Sequence, residues 1–357
     1  AIPIPSAKTF TYAVPETFVP VVAVGKRVVV PFGRKRMTGW ITEILAEAAC
    51  DQTVKEIIDL PDPEPLFGSE DLALYDWVSR YYLHPLGKVL AEILPGGIAV
   101  RPKREKWIGI PAEIPVGIKL TQKQSALVTL LREKGDLPFS GLENRFREAA
   151  FLRTLEAKGI VRLREKELFR GAGPAPEIGR NGNDIILNGA QAEALEEIRA
   201  RLASERFSPS LLHGVTGSGK TEVYLRAVDE VLRNGGGAIY LVPEIALTAQ
   251  LLSRVQSRFP EREIAVIHSG VARNARYDQW RRIRSGGINL VVGARSALFA
   301  PVRNLRLIVV DEEHDPSYEQ DDRLRYPARD LALVRGKAAG ALVILGSATP
   351  GIQTLFQ

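Results

Sequence analysis

The chain has 357 residues, of which 45% are hydrophobic and 25% charged, an ordinary composition for a globular protein of two or three domains. No apolar run approaches the roughly 18 residues that a transmembrane helix needs, and the single cysteine, Cys50, excludes an internal disulfide framework and fits a reducing cytoplasm. The net charge of +6 is concentrated in residues 99–170, where 16 Lys or Arg face 9 Asp or Glu, as a phosphate-backbone partner requires.

Residues 1–98 are predicted to form a small β-rich domain. β-Branched and alternating apolar residues predict strands at 26–33, 37–45 and 54–60. The spacing of leucine, tyrosine and valine predicts a helix at 71–82. This part of the chain does not by itself indicate a function.

Residues 99–172 are predicted to form a winged-helix domain. Helices are predicted at 121–133 and 147–158, followed by a short arginine-bearing strand at 160–164. Helices closed by a basic β-wing are typical of relatives of helix-turn-helix DNA binders. The alternative is a structural wing that contacts no nucleic acid.

Residues 173–180 are predicted to be a linker because they continue a Gly- and Pro-rich run, and residues 181–357 to be one α/β domain. We predict strands at 211–212, 238–242, 264–267, 289–292, 307–310 and 342–345. Near-continuous apolar strands separated by helices favour a parallel sheet buried on both faces, as in a RecA-like core. Ligands of such folds bind at the carboxyl ends of the strands.

A phosphate-binding loop follows the first of these strands. Residues 214–221 fit the pattern G-x-x-x-x-G-K-[ST] between an apolar run and an amphipathic one. The loop's glycines let backbone N–H groups point at phosphate oxygens, and the helix start adds positive partial charge. Lys220 is predicted to reach the β- and γ-phosphates, and the Thr221 hydroxyl to bind Mg²⁺. The predicted nucleotide-binding residues in this loop are Gly214, Thr216, Gly217, Ser218, Gly219, Lys220 and Thr221.

An acidic motif, Asp-Glu-Glu-His at 311–314, follows the apolar strand at 307–310. We predict that Asp311 holds Mg²⁺, that Glu312 orients or deprotonates the attacking water, and that His314 senses the nucleotide. Ser347 and Thr349, in the motif Gly-Ser-Ala-Thr, follow the next strand. Together the three motifs indicate a superfamily-two helicase or translocase rather than a kinase or GTPase.

The surrounding residues closely resemble the PriA family of primosomal replication-restart DNA helicases. In the lobe, the similar segments are 214–224, 242–250, 268–270, 293–299 and 311–318. Near the amino terminus, Thr-Phe-Thr-Tyr at 9–12, Val-Pro-Phe-Gly at 30–33 and Tyr-Tyr-Leu-His-Pro-Leu-Gly at 81–87 resemble that family's 3′-DNA-end-binding domain. The resemblance therefore extends over essentially the whole chain.

The resemblance implies roles for further residues of the lobe. Gln191 corresponds to an adenine-reading glutamine, and Thr248 and Arg295 lie in segments that touch the DNA backbone in the family. Residues 316–330 correspond to an aromatic-rich loop that couples DNA contact to hydrolysis, with Leu324 in place of a tryptophan. The residues implied to contact DNA in this loop are Tyr318, Arg325, Tyr326 and Arg329, with base stacking expected on the two tyrosines. Ser347 and Thr349 correspond to the family's coupling motif.

In the amino-terminal domain the resemblance implies a pocket for a 3′-terminal nucleotide. Phe10, Gly33 and Lys55 align with it, and Thr11 stands where the family usually has an aspartate.

The resemblance implies an ATP- and Mg²⁺-dependent 3′-to-5′ DNA helicase that recognises stalled or branched forks and promotes primosome assembly. The implied partners are forked and single-stranded DNA, the single-stranded DNA-binding protein and other primosome proteins, without a membrane. The family's second RecA-like lobe and zinc-binding cysteine cluster are expected outside this chain, which also lacks an initiating methionine. A fragment that binds ATP and fork DNA but hydrolyses ATP slowly is the resulting expectation.

Two alternatives stay open at this stage. One is a non-catalytic fork-DNA-binding scaffold with a vestigial nucleotide site. The other is a small-molecule kinase built on the same loop, which the Ser-Ala-Thr motif and the basic middle segment disfavour.

Overall fold

The computed structural model describes residues 1–46, 54–95, 100–111, 120–169, 186–320 and 324–356, and it divides into two compact units. The first unit combines Ala1–Arg101 with Gly171–Gln357, and the second is Pro102–Arg170. The predicted boundary at residue 98 and the predicted linker at 173–180 lie outside the described residues. Over the described ranges, no helix has the length and apolarity needed to cross a membrane.

The amino-terminal part of the first unit contains a hairpin of β1 (Arg27–Phe32) and β2 (Lys35–Trp40). Two helices follow, α1 (Ser69–Tyr81) and α2 (Leu86–Ile93). The helix predicted at 71–82 is confirmed. The predicted second strand is too long, because β2 ends at Trp40 rather than at residue 45.

The prediction of a third strand at 54–60 is wrong, since residues 54–60 make only isolated bridges, Ala13 with Glu56 and Val29 with Asp59. The outer edge of β1 explains why. The Val29 amide donates to the Asp59 carbonyl, but the Arg27 amide donates to the Asp62 carboxylate instead. Pro31, two residues after Val29, has no N–H group to donate. That edge therefore lacks the donors for a continuous ladder.

The second unit is an antiparallel sheet with two helices. Its elements are β3 (Lys103–Gly109), α3 (Gln122–Lys134), β4 (Leu137–Pro138), α4 (Ala149–Ala157) and β5 (Arg162–Leu168), with strand order β4-β3-β5. Apolar residues of both helices, such as Leu127 and Leu152, are buried against Ile108 of β3. The predicted basic strand begins at Arg162 and runs further than expected, to Leu168. Contact of this unit with DNA stays a prediction.

The carboxy-terminal part of the first unit is a six-stranded sheet with helices. Its elements in chain order are α5 (Gly189–Ala203), β6 (Ser208–His213), α6 (Lys220–Arg233), β7 (Gly237–Leu241), α7 (Ala249–Arg258), β8 (Ile264–Ile267), α8 (Arg273–Ser285), β9 (Leu290–Gly293), β10 (Leu305–Val310), β11 (Glu319–Gln320), β12 (Tyr326–Pro327), α9 (Ala328–Ala339), β13 (Leu342–Ser347) and α10 (Ile352–Phe356). The sheet order is β6-β13-β10-β7-β9-β8, and every pairing is parallel. The predicted RecA-like parallel core and all six of its strands are confirmed.

Both faces of this sheet are buried, and alternate residues of each strand belong to different cores. In β10, Leu307 and Val309 pack with α5, α6 and α7. Ile308 and Val310 belong to the other core, together with α8, α9 and the amino-terminal helices α1 and α2. The amino-terminal segment thus completes one face of the lobe, which is why the two form a single compact unit.

A buried ion pair fixes this junction. The guanidinium of Arg27 donates from Nε to both oxygens of Asp62 at 3.0 Å, and both side chains are 0% exposed. The Tyr277 hydroxyl, on α8 of the lobe, donates to the same carboxylate at 2.7 Å. Nearby, Trp280 Nε1 donates to the Leu66 carbonyl at 2.8 Å. Because every one of these groups is paired, their burial is tolerated.

We predict that Asp62→Asn lowers the free energy of unfolding by about 3–5 kcal/mol, because it leaves a buried guanidinium without its counter-charge. The matched control is Asp59→Asn, which breaks an exposed pair with Arg101 and is expected to cost about 0–1 kcal/mol. Urea unfolding of both variants measures the difference. Equal losses would mean that the buried pair does not hold the junction.

Candidate functional site

The phosphate-binding loop joins β6 to α6 at the carboxyl edge of the sheet. Gly217 and Gly219 have φ of +81° and +82°, a left-handed conformation that glycine adopts without strain. Lys220, the first residue of α6, is only 8% exposed, and its Nζ donates to the Gly214 carbonyl at 2.7 Å. The ammonium group is thus held inside the loop.

Donor groups inside the loop suit a phosphate ligand. Ser218 Oγ is buried and, among the described residues, has no hydrogen-bond partner. A Cβ added at Gly214 would lie 2.8 Å from that oxygen, so the loop closes tightly around it. An orphaned buried hydroxyl beside a buried ammonium fits an anionic ligand.

The acidic motif follows β10, two strands away from the loop in the sheet. Three hydrogen bonds hold Asp311 in place. Its carboxylate accepts from the Tyr240 hydroxyl at Oδ2 and from the Glu312 amide at Oδ1, both at 3.1 Å. Its main-chain carbonyl accepts from the Tyr318 hydroxyl at 2.7 Å. Burial raises the pKa of Asp311, while the Tyr240 hydrogen bond and the charge of Lys220 act in the opposite direction. The carboxylate is therefore fixed before any ligand binds.

Glu312 bridges the loop and the acidic motif. Its Oε1 lies 3.6 Å from Lys220 Nζ, and its Oε2 lies 3.8 Å from His314 Nδ1. The residue has φ of +47°, a conformation that costs a non-glycine residue about 1–3 kcal/mol and is concentrated at functional sites. The strain places its carboxylate between the two basic groups.

The Ser-Ala-Thr motif follows β13, which lies between β6 and β10. His314 Nδ1 is 2.7 Å from Ser347 Oγ, the Thr349 amide donates to the same oxygen at 3.1 Å, and the Ala348 amide donates to Glu312 Oε2 at 3.4 Å. The third motif therefore contacts the second directly, and its predicted coupling role stays a prediction.

Gln191 stands at the edge of this site. It closes a capping box with Asn188 at the start of α5, and its Nε2 donates to the Ser218 carbonyl at 2.8 Å. The side chain therefore links α5 to the phosphate loop, while its predicted contact with adenine stays a prediction.

Sequence profiles of two families match the chain. The PriA 3′ DNA-binding domain (3′BD) matches residues 1–95, and the DEAD/DEAH box helicase domain matches residues 188–356. Replication restart protein PriA of Bacillus subtilis is 31% identical over 97% of this chain and 52% of its own length. PriA of Haemophilus influenzae is 35% identical over 99% of this chain and 49% of its own length.

Over almost its whole length the chain is therefore similar to replication restart protein PriA. It spans about half the length of the curated PriA proteins that it matches. Among solved structures, RecG bound to a three-way DNA junction matches with a TM-score of 0.38 at 24% identity, over 48% of this chain and 22% of that one. The UvsW helicase of bacteriophage T4 matches with a TM-score of 0.33 at 18% identity, over 47% of this chain and 55% of that one.

Two of the three residues predicted to form the 3′-end pocket, Phe10 and Gly33, lie beside the β1–β2 turn. The ring of Phe10 is 37% exposed and packs edge-on against Phe32, which precedes Gly33. Gly33 has φ of +60° and open space where a Cβ would stand. Lys55 is exposed, and its carbonyl accepts from the Ala13 amide. Binding of a 3′-terminal nucleotide by these residues stays a prediction.

The residues predicted to contact DNA on the lobe have different degrees of exposure. Thr248, the N-cap of α7, and Arg325 are exposed. Arg295 is half-buried and donates to main-chain carbonyls, whereas Arg329 contacts Asp330 and Glu313.

The expectation of base stacking on the two tyrosines does not fit their positions. Tyr318 and Tyr326 are 2% and 6% exposed, and the latter packs edge-on against Phe299. Their rings pack into the core of the lobe, so no face is available to a base in this conformation. The Tyr318 hydroxyl instead supports Asp311.

Sequence reasoning missed the supporting residues of the acidic motif. Tyr240 on β7 has no motif of its own, and only the neighbouring position of β7 and β10 in the sheet brings it to Asp311. The motif pattern predicts no role for Glu313, yet its oxygens accept from the Gly351 amide and the Thr354 hydroxyl at 3.1 Å. These contacts depend on strand order, which the motif pattern does not specify.

We predict that Asp311→Asn raises the free energy of unfolding at pH 7 in the absence of nucleotide. The folded chain raises the pKa of this carboxyl group, so its ionised form costs free energy of folding above that pKa. The gain should shrink as the pH falls from the raised pKa toward about 3.9, where the unfolded chain also binds the proton.

Thermal unfolding over a pH series measures this effect. The control is Asp76→Asn on α1, whose carboxylate pairs with an exposed arginine one helical turn away. A destabilised Asp311→Asn at pH 7 would contradict the assigned cost of burial.

Proposed function

We propose that this chain is the ATP- and DNA-binding portion of a 3′-to-5′ DNA helicase of replication restart. The observation that carries the proposal is the convergence of Lys220, Asp311 and Glu312 at one sheet edge, on a lobe whose other core includes a PriA-type end-binding segment. We place the protein in the cytoplasm, with forked and single-stranded DNA as ligands. Single-stranded DNA-binding protein and other primosome proteins are proposed as partners by likeness to PriA.

The residues present suit Mg²⁺-ATP. Hard oxygen ligands, which Mg²⁺ prefers, are available from Thr221 and Asp311, with phosphate oxygens completing the set. In the described parts of the chain no group of three or more His, Cys, Asp or Glu side chains could hold a metal without such help. When bound, Mg²⁺ neutralises charge that develops on the phosphates.

The protein's own groups have separable roles in this proposal. The loop amides and Lys220 bind and orient the phosphates, and Glu312 accepts a proton from the attacking water. His314 and Ser347 report the state of Glu312 to the neighbouring motif, because each contacts the next. The second unit, with its basic strand, is proposed to bind the duplex arm of the fork.

We predict that Lys220→Ala weakens Mg²⁺-ATP binding at least tenfold, about 1.4 kcal/mol, because the loop loses its buried ammonium group. Binding is measured by titration calorimetry with a non-hydrolysable ATP analogue. Lys337→Ala, in the last turn of α9, removes an exposed lysine and is the matched control. Unchanged affinity in Lys220→Ala would show that the nucleotide does not occupy this loop.

Measurements of ATP turnover distinguish the proposed helicase from the two alternatives, a non-catalytic DNA-binding scaffold and a small-molecule kinase. DNA-stimulated ATP hydrolysis by the full-length protein, lost in Glu312→Gln while nucleotide binding persists, supports the helicase. Binding of nucleotide without any hydrolysis would favour the scaffold. Phosphoryl transfer to a small molecule without DNA would favour the kinase.

We predict that this chain binds forks more tightly when a nascent strand places its 3′-hydroxyl at the branch. We expect this preference even though Thr11 stands where the PriA family usually has an aspartate. Equilibrium binding to forks that differ only in that end, at several salt concentrations, measures the preference. Phe10→Ala should abolish the preference while leaving the salt-dependent background, which we assign to the basic second unit.

The control for this experiment is Tyr81→Ala, which removes an exposed ring elsewhere in the same segment. Equal, steeply salt-dependent binding to all forks would remove the end-binding assignment. The lobe's proposed nucleotide site would be unaffected by that outcome.

A further inference from the structure

The two long strands of the second unit have two faces that differ in their surroundings. β3 pairs antiparallel with β5 along its whole length, from Lys103 to Gly109. Successive side chains of a strand point to opposite faces, so the register fixes which residues share a face. One face is directed toward α3 and α4, because Ile108 and Leu163 on it pack in the core with both helices. The opposite face is called here the outer face.

The basic excess of these two strands lies on the outer face. Its charged residues are four cations and one carboxylate: Lys103, Arg162, Arg164, Lys166 and Glu105. On the helix-side face two cations are balanced by two carboxylates: Arg104, Lys106, Glu165 and Glu167. There Arg104 Nη1 lies 3.5 Å from Glu165 Oε2. The alternation of the strands thus collects the net positive charge of β3 and β5 on one face of the sheet.

An aromatic ring lies among the cations of the outer face. Trp107 is half-buried and stands opposite Arg164 in the register. The Lys166 ammonium group lies 3.9 Å from the centroid of the Trp107 ring. Because Lys166 is itself exposed, the ring face beneath its ammonium group is directed outward and is covered by a flexible side chain rather than by the core. This distinguishes Trp107 from the enclosed tyrosines of the lobe.

The three cations of β5 form a row beside this ring. Arg162, Arg164 and Lys166 occupy alternate positions, so successive members are about 6.6 Å apart along the strand. That spacing is comparable to the separation of neighbouring phosphates in an extended single strand, whose backbone a row of cations can follow. Glu105, the one carboxylate of the outer face on these two strands, accepts from the Ser140 hydroxyl. The row therefore has the charge and the geometry for a phosphate backbone.

The second helix of this unit, α4, is a weaker partner for DNA. In helix-turn-helix proteins the second helix lies in the major groove and contacts base edges there. The charged residues of α4 are Arg153 and Glu156, both exposed, so the helix has no net charge. Its one hydroxyl, on Thr154, donates to the Ala150 carbonyl at 2.8 Å. The outer face is therefore better suited than α4 to a polyanion.

We propose that the outer face of the second unit binds single-stranded DNA. A base stacks on Trp107 in place of the Lys166 ammonium group, which pairs with a phosphate beside Arg162 and Arg164. An unpaired strand suits this surface because its bases have free π-faces, whereas the bases of a duplex are stacked on one another. The inference rests on the proposed function and deepens it, since a fork supplies an unpaired strand as well as the duplex arm assigned to this unit.

The test measures the affinity of the chain for a fluorescein-labelled oligothymidylate that carries a phosphate on its 3′ end. The phosphate keeps the strand from offering a 3′-hydroxyl to the pocket beside Phe10. The double variant Arg164→Ala with Lys166→Ala removes two exposed cations of the outer face. We expect its affinity at low salt to fall at least about tenfold, and the slope of log K against log salt to become less steep by about 1.4, since each lost phosphate contact contributes about 0.7.

The matched control is the double variant Arg104→Ala with Lys106→Ala. It removes the same charge from exposed positions on the helix-side face of β3. We expect its affinity for the oligothymidylate to change by less than about twofold. Equal losses in the two double variants would mean that the strand is attracted by net charge alone, and the assignment to the outer face would be overturned.

Substitution of Trp107 tests the stacking. Trp107→Leu should weaken single-strand binding at least about fivefold while leaving the salt dependence unchanged, because a stacked base is lost but no cation is. Trp107→Phe keeps an aromatic ring and should retain most of the affinity. Circular dichroism checks that both variants are folded, and the exposed double variants test the surface independently of that result. Unchanged affinity in folded Trp107→Leu would contradict the inference.

A blunt duplex of the same length, also with 3′ phosphates, separates the two kinds of DNA. If the outer-face double variant loses as much affinity for the duplex as for the single strand, the face does not select an unpaired strand and the inference fails. If the unmodified chain binds forks and nucleotide but the outer-face variants bind single strands normally, the inference fails and the proposed function stands. If the chain binds neither nucleotide nor DNA, both fail.

Discussion

The sheet of the lobe has apolar residues on both faces, and covering both faces is the constraint on which the architecture depends. Helices α5, α6 and α7 cover one face. On the other face α8 and α9 share the core with α1 and α2 from the opposite end of the sequence. Exposed, that face would be a large apolar patch, which soluble proteins rarely present. The amino-terminal segment is therefore part of the fold of the lobe.

This shared core explains why a charged pair is buried at the junction. Apolar packing alone would allow α8 to slide against residues 62–66. The carboxylate of Asp62 accepts from both Arg27 and Tyr277, so it fixes one register between the hairpin and α8. Buried polar groups are costly unless fully paired, and this makes alternative registers unfavourable. The pair thus contributes specificity of docking more than net stability.

Sequence patterns were sufficient for the lobe and insufficient for the amino-terminal segment. The six strands could be predicted because continuous apolar runs between helices have few other solutions. The false strand at 54–60 shows the limit, since the pattern was suitable but the edge of β1 lacked donors at Arg27 and at the proline two residues beyond Val29. Pairing depends on the partner strand, and the residue pattern of one segment does not describe its partner.

The candidate site likewise contains residues that could be predicted from the sequence and residues that could not. Motif residues such as Lys220, Asp311 and Ser347 could be placed, because the carboxyl ends of parallel strands meet at one edge. Their supports, Tyr240 and Glu313, could not be placed, because strand order and the fold of later segments decide which side chains arrive there.

Tyr318 and Tyr326 give the most instructive difference between the sequence-based expectation and the structure. An exposed ring that stacks on a base and a buried ring that supports a carboxylate have the same sequence signature. Burial distinguishes them: Tyr318 is enclosed and bonded to the main chain of Asp311.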